Sequence, residues 1–258
     1  MNRVGISGWD SAGLYEAGIR SQDKLRLYSD IYDTVEINST FYGFPSQETV
    51  ENWYLTVPET FRFSVKLNRM FSHDQPLVIN GETVRNLNQF LASTALLKEK
   101  LSWYLLQLPP GLAADAEALN SYLAFLRDSM QAHRIQADLA VEFRHPSWYA
   151  DWSRKALHSF GAVQVISSSP GKWPLVWVKQ PKANYIRLHG LHKMYHSFYS
   201  HEELRSMMEW LSQTSGTDAW IYFDNGATLA AKENSLYLKK LFGQPVPEEA
   251  TQLRMDLW

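Results

Sequence analysis

Eight apolar runs of strand length recur along the chain, most of them separated by a helix-like stretch. Seven of the eight end by pushing a polar side chain out of the run: Glu36, Lys66, Gln107, Glu142, Ser167, Arg187 and Asp224. The runs are Val4–Ser7, Thr34–Asn38, Arg62–Leu67, Trp103–Leu108, Leu139–Arg144, Val163–Ser167, Tyr185–His189 and Trp220–Asp224. Strands alternating with helices predict an α/β fold, and this number of repeats predicts a TIM-type (β/α)8 barrel with eight parallel strands. In such a barrel the C-terminal strand ends converge on one rim, which is where barrel enzymes hold their chemistry.

The stretches between the runs have helical spacing. Leu25, Tyr28 and Tyr32 follow the first run, and Leu119, Tyr122, Leu123, Leu126 and Met130 follow the fourth. Apolar residues three and four apart share one helix face, and these faces are expected to pack outside the barrel. Ser200 and Glu203 form a capping box ahead of Leu204, Met207, Met208 and Leu211. Ser46 is a candidate N-cap for the helix after the second run. The repeat is least regular after the sixth run. There Ser167-Ser-Ser-Pro-Gly-Lys-Trp-Pro174 is turn-rich and Leu175 to Val178 reads as extended, so the sixth helix is expected to be irregular or missing.

A chain of 258 residues fits one large barrel domain. We read residues 1–243 as that domain and 244–258 as a tail docking on the barrel or on a partner, through Leu253, Met255, Leu257 and Trp258. The absence of cysteine removes disulfides, thiolate nucleophiles and thiolate metal ligands. A strand-like run from Arg3 leaves no room for a secretory leader, and no apolar run reaches membrane-spanning length, so a cytoplasmic protein without membrane partners is expected. The formal charge of −2 argues against a broad footprint for nucleic acid, although a local basic rim suits phosphate. Oligomeric state and cofactor are left open by the sequence.

Side chains alternate sides along a strand, so parity sorts the polar residues. Val35 and Ile37 form one oily face, leaving Glu36 and Asn38 opposite; the same rule sets Ser64 and Lys66, Glu142 and Arg144, and Arg187 and His189 opposite their apolar neighbours. The last run is undecided, because Trp220, Tyr222 and Asp224 alternate with Ile221 and Phe223. The expected inward set is Glu36, Asn38, Lys66, Gln107, Glu142, Arg144, Arg187, His189 and Asp224. Unpaired charges there would cost several kcal/mol each, so they pair with one another, with water or with a ligand. Glu36, Glu142 and Asp224 balance Lys66, Arg144 and Arg187, so a self-satisfied ion network competes with a catalytic site.

At Val35-Glu-Ile-Asn-Ser-Thr-Phe-Tyr42 the chain resembles the YecE-like family, known as domain of unknown function 72. Gly5-Ile-Ser-Gly-Trp9, Phe63-Ser-Val-Lys66, Gln107-Leu-Pro-Pro110, Val141-Glu-Phe-Arg-His145 with Trp148, Arg187-Leu-His-Gly190 and Tyr222-Phe-Asp-Asn225 carry the same resemblance, in order, over nearly the whole chain. It implies a TIM-type barrel and no particular reaction. Two places depart from the family's pattern: Ser167-Ser168-Ser169 stands where an Asp is expected, and Asp224 where Asn is more usual.

Glu36 and Glu142 are the leading acid/base pair, since a barrel sets the second and fifth strands across from each other, a separation suited to flanking a sugar or a scissile bond. Lys66 is a candidate electrophile or Schiff-base former, and more simply an anchor for a glutamate. Arg187 suits a carboxylate or phosphate, and His189 a proton shuttle or a histidine bonded to the next loop. The catalytic candidates are therefore Glu36, Lys66, Glu142 and His189, and the substrate-contacting ones Asn38, Tyr42, Gln107, Arg144, Arg187, Tyr195, Asp224 and Asn225. Asn225-Gly-Ala-Thr228 offers backbone N–H groups where barrels often bind phosphate. Trp9, Phe41, Tyr42, Trp148, Tyr195 and Tyr199 suit stacking on a sugar or base, or core packing. The loop Leu191–Tyr199, with His192 and His196, suits either a cover over a ligand or an ordinary surface loop. His73 and His145 add to the possible metal ligands, but no fixed metal spacing occurs and the nearby Lys66 and Arg144 repel cations, so no metal site is assigned. The expected function is a small-molecule enzyme, a hydrolase, lyase or isomerase on a polar, anionic or sugar-like substrate. Nucleic-acid binding or processing is the alternative, and a non-catalytic ligand- or partner-binding protein the third.

Overall fold

A computed structural model describes residues 1–213 and 216–247. In chain order the elements are β1 (Asn2–Ile6), α1 (Ser21–Ser29), β2 (Thr34–Ile37), α2 (Gln47–Thr56), β3 (Arg62–Lys66), α3 (Gly81–Thr94), β4 (Leu101–Gln107) and α4 (Ala116–Ala132). They continue as β5 (Asp138–Glu142), α5 (Asp151–Ser159), β6 (Ala162–Gln164), β7 (Ile166–Ser168), β8 (Ala183–Leu188), α6 (His201–Gln213), β9 (Asp218–Phe223) and α7 (Ala230–Leu241). The strands form a five-stranded sheet in the order β2-β3-β4-β5-β6 and a four-stranded sheet in the order β1-β9-β8-β7. The register between β3 and β4, β4 and β5, and β5 and β6 is parallel, as it is between β1 and β9, β8 and β9, and β7 and β8. The chain divides into two compact units: Glu36–Val165, and Met1–Val35 with the described residues from Ile166 onward.

The run expected as one sixth strand is two. Ala162–Gln164 pairs with β5, and Ile166–Ser168 pairs with β8. Between them the Val165 N–H donates to the Val141 carbonyl at 2.9 Å, so the backbone changes partner strand at one residue. No helix lies between Ser168 and Ala183, where the turn-rich sequence predicts an irregular or missing one.

Helix starts follow local chemistry. Ser46 accepts from the Thr49 N–H (3.1 Å), Asn80 from Thr83 (2.9 Å) and Asp115 from Ala118 (3.0 Å). The capping box at α6 is complete: Ser200 N–H donates to Glu203 Oε2 (2.7 Å) and Glu203 N–H to Ser200 Oγ (3.2 Å). On α4, Leu119, Tyr122, Leu123, Leu126 and Met130 are all buried. At about 1.5–3 kcal/mol per large apolar side chain, that burial outweighs helix-propensity differences of tenths of a kcal/mol. Gly5 has a steric reason, since a Cβ there would collide with the Thr34 carbonyl oxygen. At the chain's far end Gln244 donates its side-chain amide to the Asn2 carbonyl at 2.5 Å; Leu253, Met255, Leu257 and Trp258 lie outside the described residues.

Candidate functional site

In the unit Glu36–Val165, strand register decides which side chains share a face. Lys66 pairs with Leu105, and Gln107 with Glu142. Paired residues point the same way and residues two apart agree, so Lys66, Gln107 and Glu142 lie on one face at the C-terminal ends of three adjacent strands. All are buried, Glu142 completely, as is Glu36 on β2. The Arg144 guanidinium, two residues past β5, donates from Nε to Glu142 Oε1 at 3.0 Å. Tyr149, whose hydroxyl donates to the Phe143 carbonyl at 2.7 Å, is pushed above the usual phenol range by burial and then by the Glu142 charge. Lys66 places Nζ over the Phe41 ring, 4.1 Å from its centroid. Its carbonyl accepts from Thr40 Oγ1 at 2.7 Å, which ties the turn after β2 to the end of β3.

His73 joins this group from the loop after β3, a contribution its place in the sequence gave little sign of. Its ring meets Phe41 edge-on (centroids 4.9 Å apart), its Nε2 lies 3.3 Å from Gln107 Nε2, and its Nδ1 lies 2.9 Å from Ser72 Oγ. Burial, followed by the charges of Lys66, Arg144 and Arg69, holds the imidazole down to about 4 from its ordinary 6.5. Of the other expected contacts here, Asn38 is half-buried beside the turn, while Tyr42 is 77% exposed and stands at the outer edge. Trp148 is a core residue: it is stacked on Phe143 at 4.9 Å, with its indole N–H donating to the Leu112 carbonyl. His145 caps the short turn Pro146–Trp148.

The other unit holds a second polar group. Ser167, Arg187 and Tyr222 are register partners, which puts Tyr222, and Asp224 two residues on, on the Arg187 face and settles the parity of the last run. Arg187 Nη2 lies 3.2 Å from Asp224 Oδ2, His189 Nδ1 lies 2.7 Å from the same oxygen, and Arg187 Nη1 lies 3.2 Å from His189 Nε2. Guanidinium nitrogens only donate, so His189 accepts at Nε2 from Arg187. Arg187 and His189 are fully buried. Trp173 and Tyr195 meet the His189 ring edge-on at 5.6 and 5.7 Å.

The three serines of the sixth run each have a local task. Ser169 Oγ accepts from the Lys172 and Trp173 N–H groups and shapes the turn. Ser167 Oγ accepts the Trp173 indole N–H at 3.0 Å. Ser168 Oγ accepts from the His189 N–H at 3.2 Å and bonds the Tyr199 hydroxyl.

That hydroxyl also accepts from the Gly190 N–H at 2.7 Å, and Tyr199 is buried. Loop 190–199 is tied down further by Tyr195 N–H to the His189 carbonyl, Ala227 N–H to the Tyr195 carbonyl, and Thr228 Oγ1 to the His196 carbonyl. The Asn225 amide donates to the Ser197 carbonyl at 2.9 Å and to Asn234 Oδ1 at 3.3 Å. The loop thus behaves as a braced element, and both Asn225 and the Ala227 N–H serve it. Tyr195, at 37% exposure, is the aromatic there that reaches solvent.

Among the described residues no group of three or more His, Asp or Glu side chains is arranged to hold a metal, and no helix is long and apolar enough to cross a membrane.

The class is an α/β fold with parallel sheets. It is shared with the crystal structure of AP endonuclease, family 2 from Brucella melitensis, at TM-score 0.60 and 9% identity over 93% of this chain and 99% of that one. The chain belongs to the family described as Protein of unknown function DUF72, whose profile matches residues 3–255. It is similar to UPF0759 protein YunF of Bacillus subtilis, at 26% identity over 93% of this chain and 94% of that protein. UPF0759 protein YecE of Escherichia coli O157:H7 is 29% identical over 66% of this chain and 60% of its own length. A DUF72 family protein from Thermotoga maritima superposes at TM-score 0.78, with 25% identity over 95% of this chain and 100% of that one.

Proposed function

We propose that this protein is an acid–base enzyme of hydrolase, lyase or isomerase type, acting on a small polar substrate, anionic or sugar-like, at the C-terminal strand ends of a single (β/α)8 barrel domain over residues 1–243. The observation that carries the reading is Glu142. It is a fully buried carboxylate at the end of β5, gripped by Arg144 at 3.0 Å and sharing a face with Lys66 and Gln107. A group so expensive to bury is retained where its proton chemistry is used. Glu142 and Glu36 exchange protons with the substrate, Lys66 polarises it, and Asn38, Tyr42, Gln107 and Arg144 contact it. A cytoplasmic location belongs to the same proposal.

A second reading applies to Arg187, His189 and Asp224. Both imidazole nitrogens of His189 lie within hydrogen-bonding distance of protein partners, which favours an internal ion network over a proton shuttle. Nucleic-acid processing, the activity in the name of the Brucella endonuclease, gains no support from a formal charge of −2.

The test joins a metabolite thermal-shift screen to Glu142→Gln, because a stabilising ligand raises the melting point by mass action. The expected variant keeps the wild-type melting temperature and loses turnover of the compound found. A variant that melts far lower, or that turns the compound over at the wild-type rate, would remove Glu142 from the chemistry.

A further inference from the structure

His73 is not needed by the acid–base chemistry proposed above, yet three cations act on its imidazole. Lys66 faces it from the end of β3, Arg144 from beyond β5, and Arg69 and Asp74 from its own loop; Phe41, Gln107 and Ser72 complete its surroundings. Arg69 is paired with Asp74 at 2.9 Å and Arg144 with Glu142 at 3.0 Å. Lys66, Arg144 and Arg69 act on the ring against Asp74, while the Glu142 carboxylate is held beside them by Arg144. Lys66 and Arg144 are largely desolvated, at 8% residue exposure and 11% side-chain exposure, and desolvated cations attract an anion more strongly than exposed ones.

We propose that His73, Lys66 and Arg144 form a subsite for an oxyanion of the substrate, a phosphate, sulfate or carboxylate, and that His73 takes up a proton from solvent as the anion enters. The inference deepens the proposed acid–base reading by naming the substrate's anionic group. As the hydrogen bonds stand, the Gln107 amide donates to His73 Nε2, and Nδ1–H donates to Ser72 Oγ. An incoming oxyanion reverses the sign of the local field, so the imidazolium becomes the favoured form. Gln107 then turns its carboxamide to offer Oε1 to the new Nε2–H. An oxyanion at this position meets an ammonium, a guanidinium fork and an imidazolium, a donor set that matches phosphate or carboxylate geometry.

Histidine-labelled whole protein tests this by NMR, with His73→Gln assigning the resonance and sodium sulfate as the probe, because sulfate stays a dianion throughout the titration. The expected result is that sulfate raises the His73 titration midpoint by about one pH unit or more, equivalent to about tenfold tighter sulfate binding by the imidazolium than by the neutral form. Lys66→Met is expected to abolish the sulfate response. An unchanged midpoint, or an equal rise in chloride at matched ionic strength, would overturn the subsite. Where Lys66→Met loses its fold, the sulfate–chloride comparison on the wild-type chain decides alone. Retained turnover in Glu142→Gln would end the acid–base reading and leave this measurement untouched, so the two failures are distinguishable.

Discussion

His189 Nδ1 lies 2.7 Å from Asp224 Oδ2, across the ends of two neighbouring parallel strands. The same oxygen accepts from Arg187 Nη2 at 3.2 Å, so one carboxylate lies against two fully buried side chains. Asp224→Ala deprives the buried Arg187 guanidinium of that acceptor and removes the carboxylate from beside His189, and the expected loss of stability is about 2–3 kcal/mol. Asp224→Asn retains a carbonyl oxygen and is expected to lose less. Urea denaturation of the two variants checks this, and an alanine variant as stable as wild type would show that the triangle contributes nothing to the fold.

A pH effect follows from His73. Its imidazole is held at about 4 in the folded chain, against 6.5 ordinarily. Between those values the unfolded chain binds a proton at this position and the folded chain does not, so falling pH favours unfolding there. The contribution is fully present above about 6.5 and is lost as pH falls toward 4. His73→Gln is expected to flatten the acid limb of melting temperature against pH over this window. Parallel acid limbs for variant and wild type would contradict the assignment.

Much of this arrangement was legible in the sequence because it is local or periodic. Strand parity brought Lys66 and Glu142 to one face, and the Ser200–Glu203 capping box fixed the start of α6, since both depend on neighbours a few residues away. What was hidden depends on distant partners. The change of sheet at Val165 is a matter of which strand each half meets. The lowered imidazole of His73 owes its state first to burial and then to Lys66 and Arg144, which reach it from the ends of two different strands. Tyr199, Ser168 and Asn234 carry no motif, and their meeting braces a loop that the sequence alone left between a cover and an ordinary surface segment.

Gly190 is a place where only glycine fits. Its φ is +97°, and an added Cβ would approach the Lys193 carbonyl oxygen and Ser197 Oγ at 2.7 Å. Gly190→Ala therefore combines left-handed backbone strain with a clash, for an expected loss of about 1–3 kcal/mol. The strain falls next to His189 and within the braced loop. Amide hydrogen exchange is expected to quicken at Tyr195 and Ala227, whose N–H groups bond across that loop. Exchange that quickens uniformly over the chain, with none concentrated there, would argue that the loop's bracing is independent of Gly190.

Lys100 poses a contest between two large effects. Its ammonium is buried and its pKa is lowered, chiefly by that burial, so the charge carries a desolvation cost. Against this, Nζ donates to the Tyr54 and Val57 carbonyls at 2.7 Å each and sits 4.3 Å from the Tyr54 ring centroid. Those carbonyls lie at the C-terminal end of α2, where the helix dipole favours a cation. Lys100→Met keeps the aliphatic stem and removes the charge, which relieves the desolvation cost but leaves the two carbonyls without this donor. Each abandoned buried acceptor costs about 1–3 kcal/mol, whereas an apolar replacement of a buried charge recovers a comparable amount only when no partner is stranded. Since both carbonyls are stranded, the balance falls on destabilisation, by about 2 kcal/mol in urea denaturation. A methionine variant of equal or greater stability would mean that the burial of the ammonium outweighs its two hydrogen bonds.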